Sequence, residues 1–222
     1  PSGVRWAYPL RDESRRSFAG HLPRPLPAEV CAAYFEEILG GVQWSQPMGR
    51  IGPIPRKTAW LVSAGCQCAY RYGSLEVTPQ EFPPWMLGLM RQVMPLCGLA
   101  GPEDFPNCCN LNLYEGGGNS VGWHSDDEAL FQGKFSDCRI ISLSLGVARR
   151  FELRLNWPEP GERATVCISL GDGDLCTMEG MTQKHLQHRV PAETNVSGAR
   201  INLTWRWVKK HAPKCGACRR RH

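Results

Sequence analysis

The stretch Arg200-Ile-Asn-Leu-Thr-Trp-Arg206 alternates strictly between polar and apolar side chains. Successive side chains of a β-strand point to opposite faces, so this period of two predicts a strand with one polar and one apolar face. A polar face usually points to solvent. Two arginines with an asparagine and a threonine are better suited to a dicarboxylate, because each guanidinium offers a planar fork of donors that matches a carboxylate.

Upstream, the segment Ser120-Val-Gly-Trp-His-Ser-Asp-Asp-Glu128 places His124 and Asp126 two residues apart, which on a strand aims both side chains at one point. His188 follows in a second strand-like run. Two imidazoles and one carboxylate form the facial triad that holds iron(II) and leaves positions open for a cosubstrate and dioxygen. A lone His-x-Asp occurs often by chance, in a solvated turn or with a satisfied histidine. The His-x-Asp motif is more informative here because the arginine-bearing strand follows it in the sequence.

From Cys109 onward, short runs of period two are separated by turns such as Glu115-Gly-Gly-Gly-Asn119. This punctuation predicts a mainly β fold with flanking helices, in the form of a double-sheet, cupin-like jelly roll, also called a double-stranded β-helix. Two helices are predicted upstream, over 27–39 and over 83–97. The predicted strands are 109–114, 121–125, 139–146, 150–155, 164–170, 174–179, 185–190 and 200–208.

In this order and spacing, the motifs resemble the AlkB family of Fe(II)/2-oxoglutarate-dependent dioxygenases, of the nucleic-acid repair type. Asn110-Leu-Asn112-Leu-Tyr114 shares the resemblance, which covers roughly residues 20–208. It implies that His124, Asp126 and His188 hold Fe(II), with 2-oxoglutarate and dioxygen as cosubstrates. The residues that it implies for 2-oxoglutarate are Asn112, Tyr114, Arg200, Asn202 and Arg206.

The resemblance also implies an activity, the oxidative removal of N-linked methyl groups from bases of the 1-methyladenine or 3-methylcytosine type in DNA or RNA. Hydroxylation of the methyl group gives a hemiaminal that collapses to formaldehyde and the bare amine, while 2-oxoglutarate becomes succinate. Substrate contacts are expected from Asp127, Glu128, Tyr70 and Tyr72. Asp127 would accept a hydrogen bond from the exocyclic amine, and Tyr72 would stack on a flipped base. Without the resemblance, the two acids more often cap a loop and either tyrosine is a core aromatic.

Two other functional readings stay open at this point. One is an AlkB-type oxygenase that acts on tRNA modifications or on protein, and Asp127 and Tyr72 speak against the protein version because a peptide side chain needs neither. The other is a catalytically silent nucleic-acid-binding jelly roll. The complete set of predicted iron ligands speaks against it.

At 222 residues the chain is long enough for one domain with a sizeable core. We expect a loosely ordered N-terminal arm over 1–26, the dioxygenase domain over 27–208 and a basic Cys/His tail over 209–222. No apolar run is long enough to span a membrane, so we expect no membrane partner, and we expect a monomer. Because the chain begins with Pro1 rather than Met, we expect it to be part of a longer protein whose targeting peptide could lie upstream.

The positive charge of the chain is concentrated in its tail. The net charge is +5, and six Lys or Arg residues without an acid follow Val208, which leaves the rest of the chain at about −1. Such a tail either contacts phosphates through counterion release or is a solvated terminus, and charge alone does not separate these readings.

Eleven cysteines do not form the pattern of a secreted disulfide framework. We therefore expect a reducing compartment inside the cell, the nucleus and/or the cytoplasm, with Cys31, Cys97, Cys138, Cys167 and Cys176 as small buried apolar residues. The tail spacing His211-x3-Cys215-x2-Cys218-x3-His222 offers four ligands of the zinc-binding type. Four ligands in so short a segment are crowded, and an ordinary flexible tail is the alternative.

Overall fold

The computed structural model describes residues 5–72, 75–162 and 165–217 of the chain. Its helices are α1 Ala28–Gly41, α2 Pro84–Val93 and α3 Thr182–His185. Its strands are β1 Ala7–Asp12, β2 Ser17–Leu22, β3 Met48–Gly49, β4 Gly52–Pro53, β5 Lys57–Val62, β6 Tyr70–Tyr72, β7 Leu75–Val77, β8 Pro79–Glu81, β9 Cys108–Tyr114, β10 Val121–His124, β11 Cys138–Gly146, β12 Arg149–Leu155, β13 Thr165–Leu170, β14 Leu175–Gly180, β15 Leu186–Val190 and β16 Arg200–Arg206.

Two sheets dominate the described residues. The larger has the strand order β1-β2-β14-β11-β16-β9-β5-β8 and the smaller has the order β10-β15-β12-β13. Apolar side chains from both sheets, among them Ile140 and Met178 of the larger and Leu153 and Ile168 of the smaller, pack into one buried cluster. The predicted double-stranded β-helix is confirmed, and each predicted strand from 109 onward coincides with an observed one.

Both predicted helices are present. In α2, Met86, Leu89, Met90 and Val93 form the predicted apolar stripe and are buried. A 3-10 turn over Met94–Cys97 continues the helix until Gly98, whose left-handed φ of 77° favours glycine. No helix within the described ranges is long and apolar enough to cross a membrane.

β16 lies in the interior of the larger sheet, between β11 and β9. Its apolar residues Ile201, Leu203 and Trp205 are buried in the cluster that includes Ile38 of α1 and Met86 of α2. The polar side chains on its other face point toward the smaller sheet, and Arg200 and Arg206 are as buried as the core. The polar face of this strand therefore lines an interior site and does not point to solvent.

The prediction of a loosely ordered N-terminal arm is wrong for the described part of that segment. β2 pairs along its length with β14, and Ser17 and Ala19 are fully buried. A Cβ on Gly20 would lie 2.7 Å from the Thr177 hydroxyl, so glycine permits the close approach of β2. Small residues carry most of the contact, which is why the segment lacks the apolar alternation of a typical strand.

The C-terminal tail also packs against the domain as far as the structure describes it. The backbone N–H groups of Lys209 and Lys210 donate to the carbonyl oxygen of Leu130. Cys215 is buried. Residues 209–217 are therefore anchored to the domain, although Lys209, Lys210 and Lys214 are exposed, whereas residues 218–222, including Cys218 and His222, lie outside the described residues.

The cysteines mostly behave as predicted. Each described cysteine is a free thiol, and Cys31, Cys97, Cys138 and Cys176 are buried. Cys167 is exposed, contrary to expectation. It lies on β13, the edge strand of the smaller sheet, and this side of the strand has no partner layer among the described residues.

Arg149 joins the two loops that lead to the histidine-bearing strands. Its side chain is 1% exposed and donates hydrogen bonds to the carbonyl oxygens of Gly116, Gly117, Asn119 and Pro191. The first three belong to the turn before β10, and Pro191 directly follows β15. One buried guanidinium thus fixes the relative position of these two strands.

We predict that Arg149→Met lowers the free energy of unfolding by about 3–5 kcal/mol, because the carbonyl groups and Glu193 lose a buried charged donor. The neighbouring Arg150 also pairs with Glu193, but its side chain is 51% exposed. Arg150→Met is therefore the control and should change stability by no more than about 0.5 kcal/mol. Urea unfolding of the three proteins measures both values. Equal effects of the two substitutions would contradict this role of Arg149.

Candidate active site

A cavity of about 430 Å³ lies between the two sheets. Strands β9, β11 and β16 form one wall, and β10, β12 and β15 form the other. Most of the site residues predicted from the sequence line this cavity: Tyr70, Asn112, Tyr114, His124, Asp126, Asp127, Glu128, His188, Asn202 and Arg206. Arg200 lies beside it, on a small adjoining cavity that shares Ser142 and Asn202 with the first.

The structure brings the three predicted iron ligands together. In the antiparallel pair of β10 and β15, His124 lies directly opposite His188, and their ring centroids are 4.2 Å apart. Asp126 follows the end of β10, with one carboxylate oxygen 3.5 Å from Nε2 of His124 and the other 3.8 Å from Nε2 of His188. The three ligand atoms lie within 4.8 Å of one another, so one metal ion could contact all three.

Both imidazoles are suited to bind a cation. Nδ1 of His124 lies 2.9 Å from the carbonyl oxygen of Gly122. A carbonyl oxygen only accepts, so Nδ1 carries a proton and Nε2 faces Asp126. Burial lowers the pKa of His124, but the nearby Asp126 carboxylate outweighs burial and raises the pKa overall, so a cation bound at Nε2 would take the place of a proton. Burial and the nearby His124 lower the pKa of His188 to about 3, so this ring is neutral near pH 7.

Asp126 is a buried carboxylate that stays ionised. Burial alone would raise its pKa, but the charge of Arg206 and the nearby histidines hold the pKa well below its usual value. Arg206 donates to Oδ2, and the backbone N–H of Asp126 donates to the side chain of Gln183 at 2.8 Å. Oδ1 has no hydrogen-bond partner among the described residues. A buried anionic oxygen in this position is favourable for a cation.

Arg200 presents a second unsatisfied charge. Its Nη2 donates to the hydroxyl of Ser144 at 2.8 Å, and its guanidinium lies 5.2 Å from the ring centre of Tyr114. Nε and Nη1 are buried without a hydrogen-bond partner in the described residues. Burial lowers the pKa of Arg200 from its ordinary value, but a guanidinium stays charged in proteins. The arrangement is suited to the carboxylate of a bound ligand.

The opposing strands β9 and β16 place Asn112 directly across from Asn202. The side-chain oxygen of Asn112 accepts a hydrogen bond from Nε of Arg56 at 2.8 Å. Asn202 donates to the carbonyl oxygen of Leu143 at 3.1 Å. Both asparagines line the cavity with the histidines, and Asn202 also lines the small cavity of Arg200.

Two residues of the site were missed in the sequence. Arg56 is buried on the cavity wall, although its position in a polar loop favoured a solvated side chain. The available signal was its place directly before β5, whose Thr58 pairs with Asn112. Gln183 is buried in α3 and orients Asp126. No sequence pattern distinguished it from an ordinary polar residue.

Tyr70, Glu128 and Arg206 form one network at the inner end of the cavity. The Tyr70 hydroxyl donates to the Glu128 carboxylate at 2.7 Å, and Arg206 donates to Tyr70 at 3.4 Å. The Tyr70 ring stacks on Trp60 at 5.0 Å, so it is both a core aromatic and a cavity residue. Burial and the charge of Asp126 raise the pKa of Glu128 to about 7.

The two acids after Asp126 differ in their surroundings. Glu128 is half-buried and its Oε2 is fully buried, whereas the side chain of Asp127 is 39% exposed at the mouth of the cavity and pairs with Lys134 at 2.8 Å. The side chain of Tyr72, the predicted stacking partner of a flipped base, lies outside the described part of the structure.

A surface groove leads away from the mouth of the cavity and shares Ser125 and Asp127 with it. Basic side chains line the groove, and the large aromatic Trp157 is 86% exposed there. Trp123 lines the cavity, and the guanidinium groups of Arg154 and Arg189 lie 4.3 and 4.5 Å from the centre of its ring. The basic residues of the groove are Lys134, Arg154 and Lys184.

The comparisons with known proteins agree with this geometry. The family model of the 2OG-Fe(II) oxygenase superfamily matches residues 18–206. The alpha-ketoglutarate-dependent dioxygenase alkB homolog 3 of Bos taurus is 37% identical over 186 residues, which are 78% of this chain and 60% of that protein. The DNA oxidative demethylase ALKBH2 of Mus musculus is 32% identical over 179 residues, which are 78% of this chain and 70% of that protein.

Among solved structures, OsALKBH1 shares the fold with a TM-score of 0.60 at 16% identity, covering 91% of this chain and all of that one. The chain spans about 60% of the length of the alkB homolog 3 proteins that it matches. The family match covers most of the chain, and the relatives agree with it. This chain belongs to the AlkB family of Fe(II)/2-oxoglutarate dioxygenases, within the 2OG-Fe(II) oxygenase superfamily.

Proposed function

We propose that this protein oxidatively removes N-linked methyl groups from nucleic-acid bases, of the 1-methyladenine or 3-methylcytosine type. The observation that carries the proposal is the meeting of His124, Asp126 and His188 beside a buried, partly unpaired Arg200. Relatives named as DNA oxidative demethylases support the substrate class. A nucleic-acid substrate is consistent with action in the nucleus and/or cytoplasm.

His124, Asp126 and His188 would hold the iron. The fit rests on the structure itself, because Asp126 has a buried oxygen without a partner in the described residues and Nε2 of each histidine faces the Asp126 carboxylate. Two neutral imidazoles and one carboxylate are the ligand set of Fe(II) oxygenases, which leaves coordination positions for other ligands. Arg206 and Gln183 orient Asp126 from outside, as partners of metal ligands commonly do.

Arg200 would bind the distal carboxylate of 2-oxoglutarate. Two of its nitrogens, Nε and Nη1, have no partner among the described residues, and each can donate a charge-assisted hydrogen bond to a carboxylate. Asn112, Tyr114 and Asn202 line the same cavity as the histidines and would contact the rest of the cosubstrate. Arg206 is engaged with Asp126 and Tyr70, so its contribution would be to hold the carboxylate ligand in place.

When bound, iron and 2-oxoglutarate supply the oxidation of the methyl group by dioxygen. The overall reaction converts N–CH3, 2-oxoglutarate and O2 to N–H, formaldehyde, succinate and CO2. The protein positions the methyl group near the histidines and excludes bulk water, as proteins do for cofactors that carry the difficult chemistry. Release of formaldehyde from the hydroxylated methyl group is spontaneous and requires no further catalytic side chain.

Glu128 is the better candidate for contact with the damaged base. It lies in the cavity, is fixed by Tyr70 and has a buried carboxylate oxygen without a partner in the described ranges. Asp127 pairs with Lys134 at the mouth. The acceptor role that the resemblance implied for Asp127 is therefore assigned to Glu128. Asp127 would instead contact the substrate near the entrance.

The groove beside the cavity supports a nucleic acid as the substrate. Lys134, Arg154 and Lys184 would contact phosphates along a strand, and the exposed ring of Trp157 offers a stacking surface for a base. A peptide substrate requires neither feature.

The test is turnover of oligonucleotides that contain 1-methyladenine or 3-methylcytosine, with iron(II), ascorbate and 2-oxoglutarate. Single-stranded DNA, single-stranded RNA and duplex DNA are tested side by side. Formaldehyde and succinate should form in equal amounts with whichever of them is the substrate. Asp126→Ala should lower turnover at least about 100-fold, because even outer partners of metal ligands contribute 10–100-fold.

Asp126→Asn provides a near-isosteric companion that should be equally inactive and remain folded by circular dichroism. The surface acid Asp137, whose side chain is 54% exposed, gives the matched control Asp137→Ala, which should retain activity. Normal turnover by the Asp126 variants would show that the iron site is assigned wrongly. Formaldehyde released from methylated tRNA or peptide, and none from methylated bases, would overturn the proposed substrate class.

A paired substitution tests the assignment of the base contact. Glu128→Gln should lower kcat/KM for the methylated oligonucleotide about tenfold or more, since a hydrogen bond to a charged group contributes about 1.5–3 kcal/mol. Asp127→Asn should lower it less than about threefold, because this side chain is at the exposed mouth. Slow turnover of 2-oxoglutarate without substrate should be unchanged in both variants. A larger effect of Asp127→Asn would show that Asp127, and not Glu128, contacts the damaged base.

Salt dependence of binding tests the groove. Lys184→Ala should reduce the slope of log affinity against log salt by about 0.7 for a single-stranded oligonucleotide, the value for one lost phosphate contact. The affinity for a methylated nucleoside should not change. Arg91, exposed on α2, is the matched control, and Arg91→Ala should leave the slope as it is in the unsubstituted protein. Equal slopes for all three proteins would show that Lys184 does not contact the oligonucleotide and that the nucleic acid binds outside this groove.

A further inference from the structure

Four potential metal ligands meet outside the iron site. Cys66 and Cys68 lie in the loop before β6, and His211 and Cys215 lie in the tail, yet their ligand atoms are all within 4.8 Å of one another. The three cysteines are nearly fully buried, at 6%, 1% and 2% exposed. None of the four lines the cavity of the iron site. The group includes His211 and Cys215 of the ligand set predicted from the tail, whereas Cys218 and His222 of that set are outside the described residues.

The distances match a tetrahedral zinc ion. Zn–S bonds of about 2.3 Å and Zn–N bonds of about 2.0–2.1 Å imply S···S separations of ~3.8 Å and S···N separations of ~3.6 Å. The sulfur atoms of Cys66 and Cys215 are 3.9 Å apart. Nδ1 of His211 lies 3.3, 3.6 and 3.8 Å from the sulfurs of Cys215, Cys68 and Cys66. A disulfide would instead need about 2.05 Å between two sulfurs.

The backbone around the four side chains is also arranged for thiolates. The N–H of Gln67 donates to the sulfur of Cys215, and the N–H of Ala212 donates to the sulfur of Cys68, both at 3.3 Å. Each bond runs from one chain segment to a ligand of the other segment. Such N–H donors stabilise negative charge on sulfur and orient the ligands, as outer contacts do in metal sites.

We propose that Cys66, Cys68, His211 and Cys215 bind one structural zinc ion. Three thiolates and one imidazole form a closed ligand set with no position left for a substrate. The His-x3-Cys spacing is common in zinc sites, whereas Cys-x-Cys is one residue shorter than usual. The two additional ligands come from a loop about 145 residues away, so the crowding that a site within the tail would face does not arise.

The zinc ion would hold the base of the hairpin formed by β6 and β7 against the domain. The carbonyl oxygen of Cys68 accepts a hydrogen bond from Trp60 at 2.7 Å, and Trp60 stacks on Tyr70. Tyr70 in turn donates to Glu128 in the active-site cavity. Zinc binding would thus fix the tail and the root of the hairpin near the substrate contact, without taking part in the reaction.

The experiment measures zinc and iron separately in the 222-residue chain, purified after expression with added zinc. We expect about one zinc per chain, retained in Asp126→Asn, whose iron site is impaired. Cys68→Ser and Cys215→Ser should reduce zinc below about one tenth per chain and lower Tm by about 5 °C or more. The exposed Cys167 is the matched control, and Cys167→Ser should retain both zinc and Tm.

Cobalt(II) substitution gives a spectroscopic test of the zinc site. This test requires neither enzyme activity nor folded cysteine variants. Cobalt-loaded Asp126→Asn should show thiolate-to-cobalt charge transfer and the strong visible bands of tetrahedral coordination, which a site of two imidazoles and one carboxylate does not give. Protein without zinc after zinc supplementation, or a disulfide-linked peptide containing Cys66 and Cys215, would overturn the proposal. So would zinc that is lost in Asp126→Asn and retained in Cys215→Ser. The iron-dependent reaction is measured separately, so failure of either proposal leaves the other testable.

Discussion

The buried charge of Asp126 is the constraint on which the rest of the site depends. Removing a carboxylate from water costs several kcal/mol, and the cost is recovered only with good electrostatic partners. Arg206 supplies one such partner, and the backbone of Asp126 is fixed by Gln183. One oxygen still lacks a partner among the described residues, so the protein alone compensates the charge incompletely. A cation bound by Asp126 and the two histidines would complete that compensation, which links the stability of this region to its chemistry.

In β16, one strand serves both the core and the site. Its apolar side chains pack against α1 and α2, while Arg200 and Arg206 project from the other face. Because neighbouring side chains on a strand point in opposite directions, the packing of Ile201 and Trp205 against the helices fixes the direction of both arginines. The directions of Arg200 and Arg206 are thus determined by the hydrophobic core, and hydrogen bonds to Ser144 and Asp126 then hold their guanidinium groups.

The sequence predicted the features that the alternation of side chains along strands determines. It did not predict features in segments without such alternation. The strands from 109 onward and the convergence of His124 with His188 follow from period-two patterns. β10 ends at His124, so alternation does not determine which way Asp127 and Glu128 point, and the choice of Asp127 had no geometric support. The hairpin of β1 and β2 was missed because small residues carry its contacts. Cys66 and Cys68 lie in a loop without periodicity, and only the tertiary structure brings them to His211.

Tyr70 connects the parts of the molecule that the chain keeps far apart. Its ring packs against Trp60 and Phe131, and its hydroxyl lies between Arg206 and Glu128. A side chain that is already packed and hydrogen-bonded loses little further entropy when a ligand arrives, so this part of the cavity is preorganised. By contrast, the exposed Arg71 and Glu76 farther along the hairpin pair only with each other in the described structure. The start of the hairpin is therefore held in the core through Tyr70, whereas Arg71 and Glu76 farther along are at the surface.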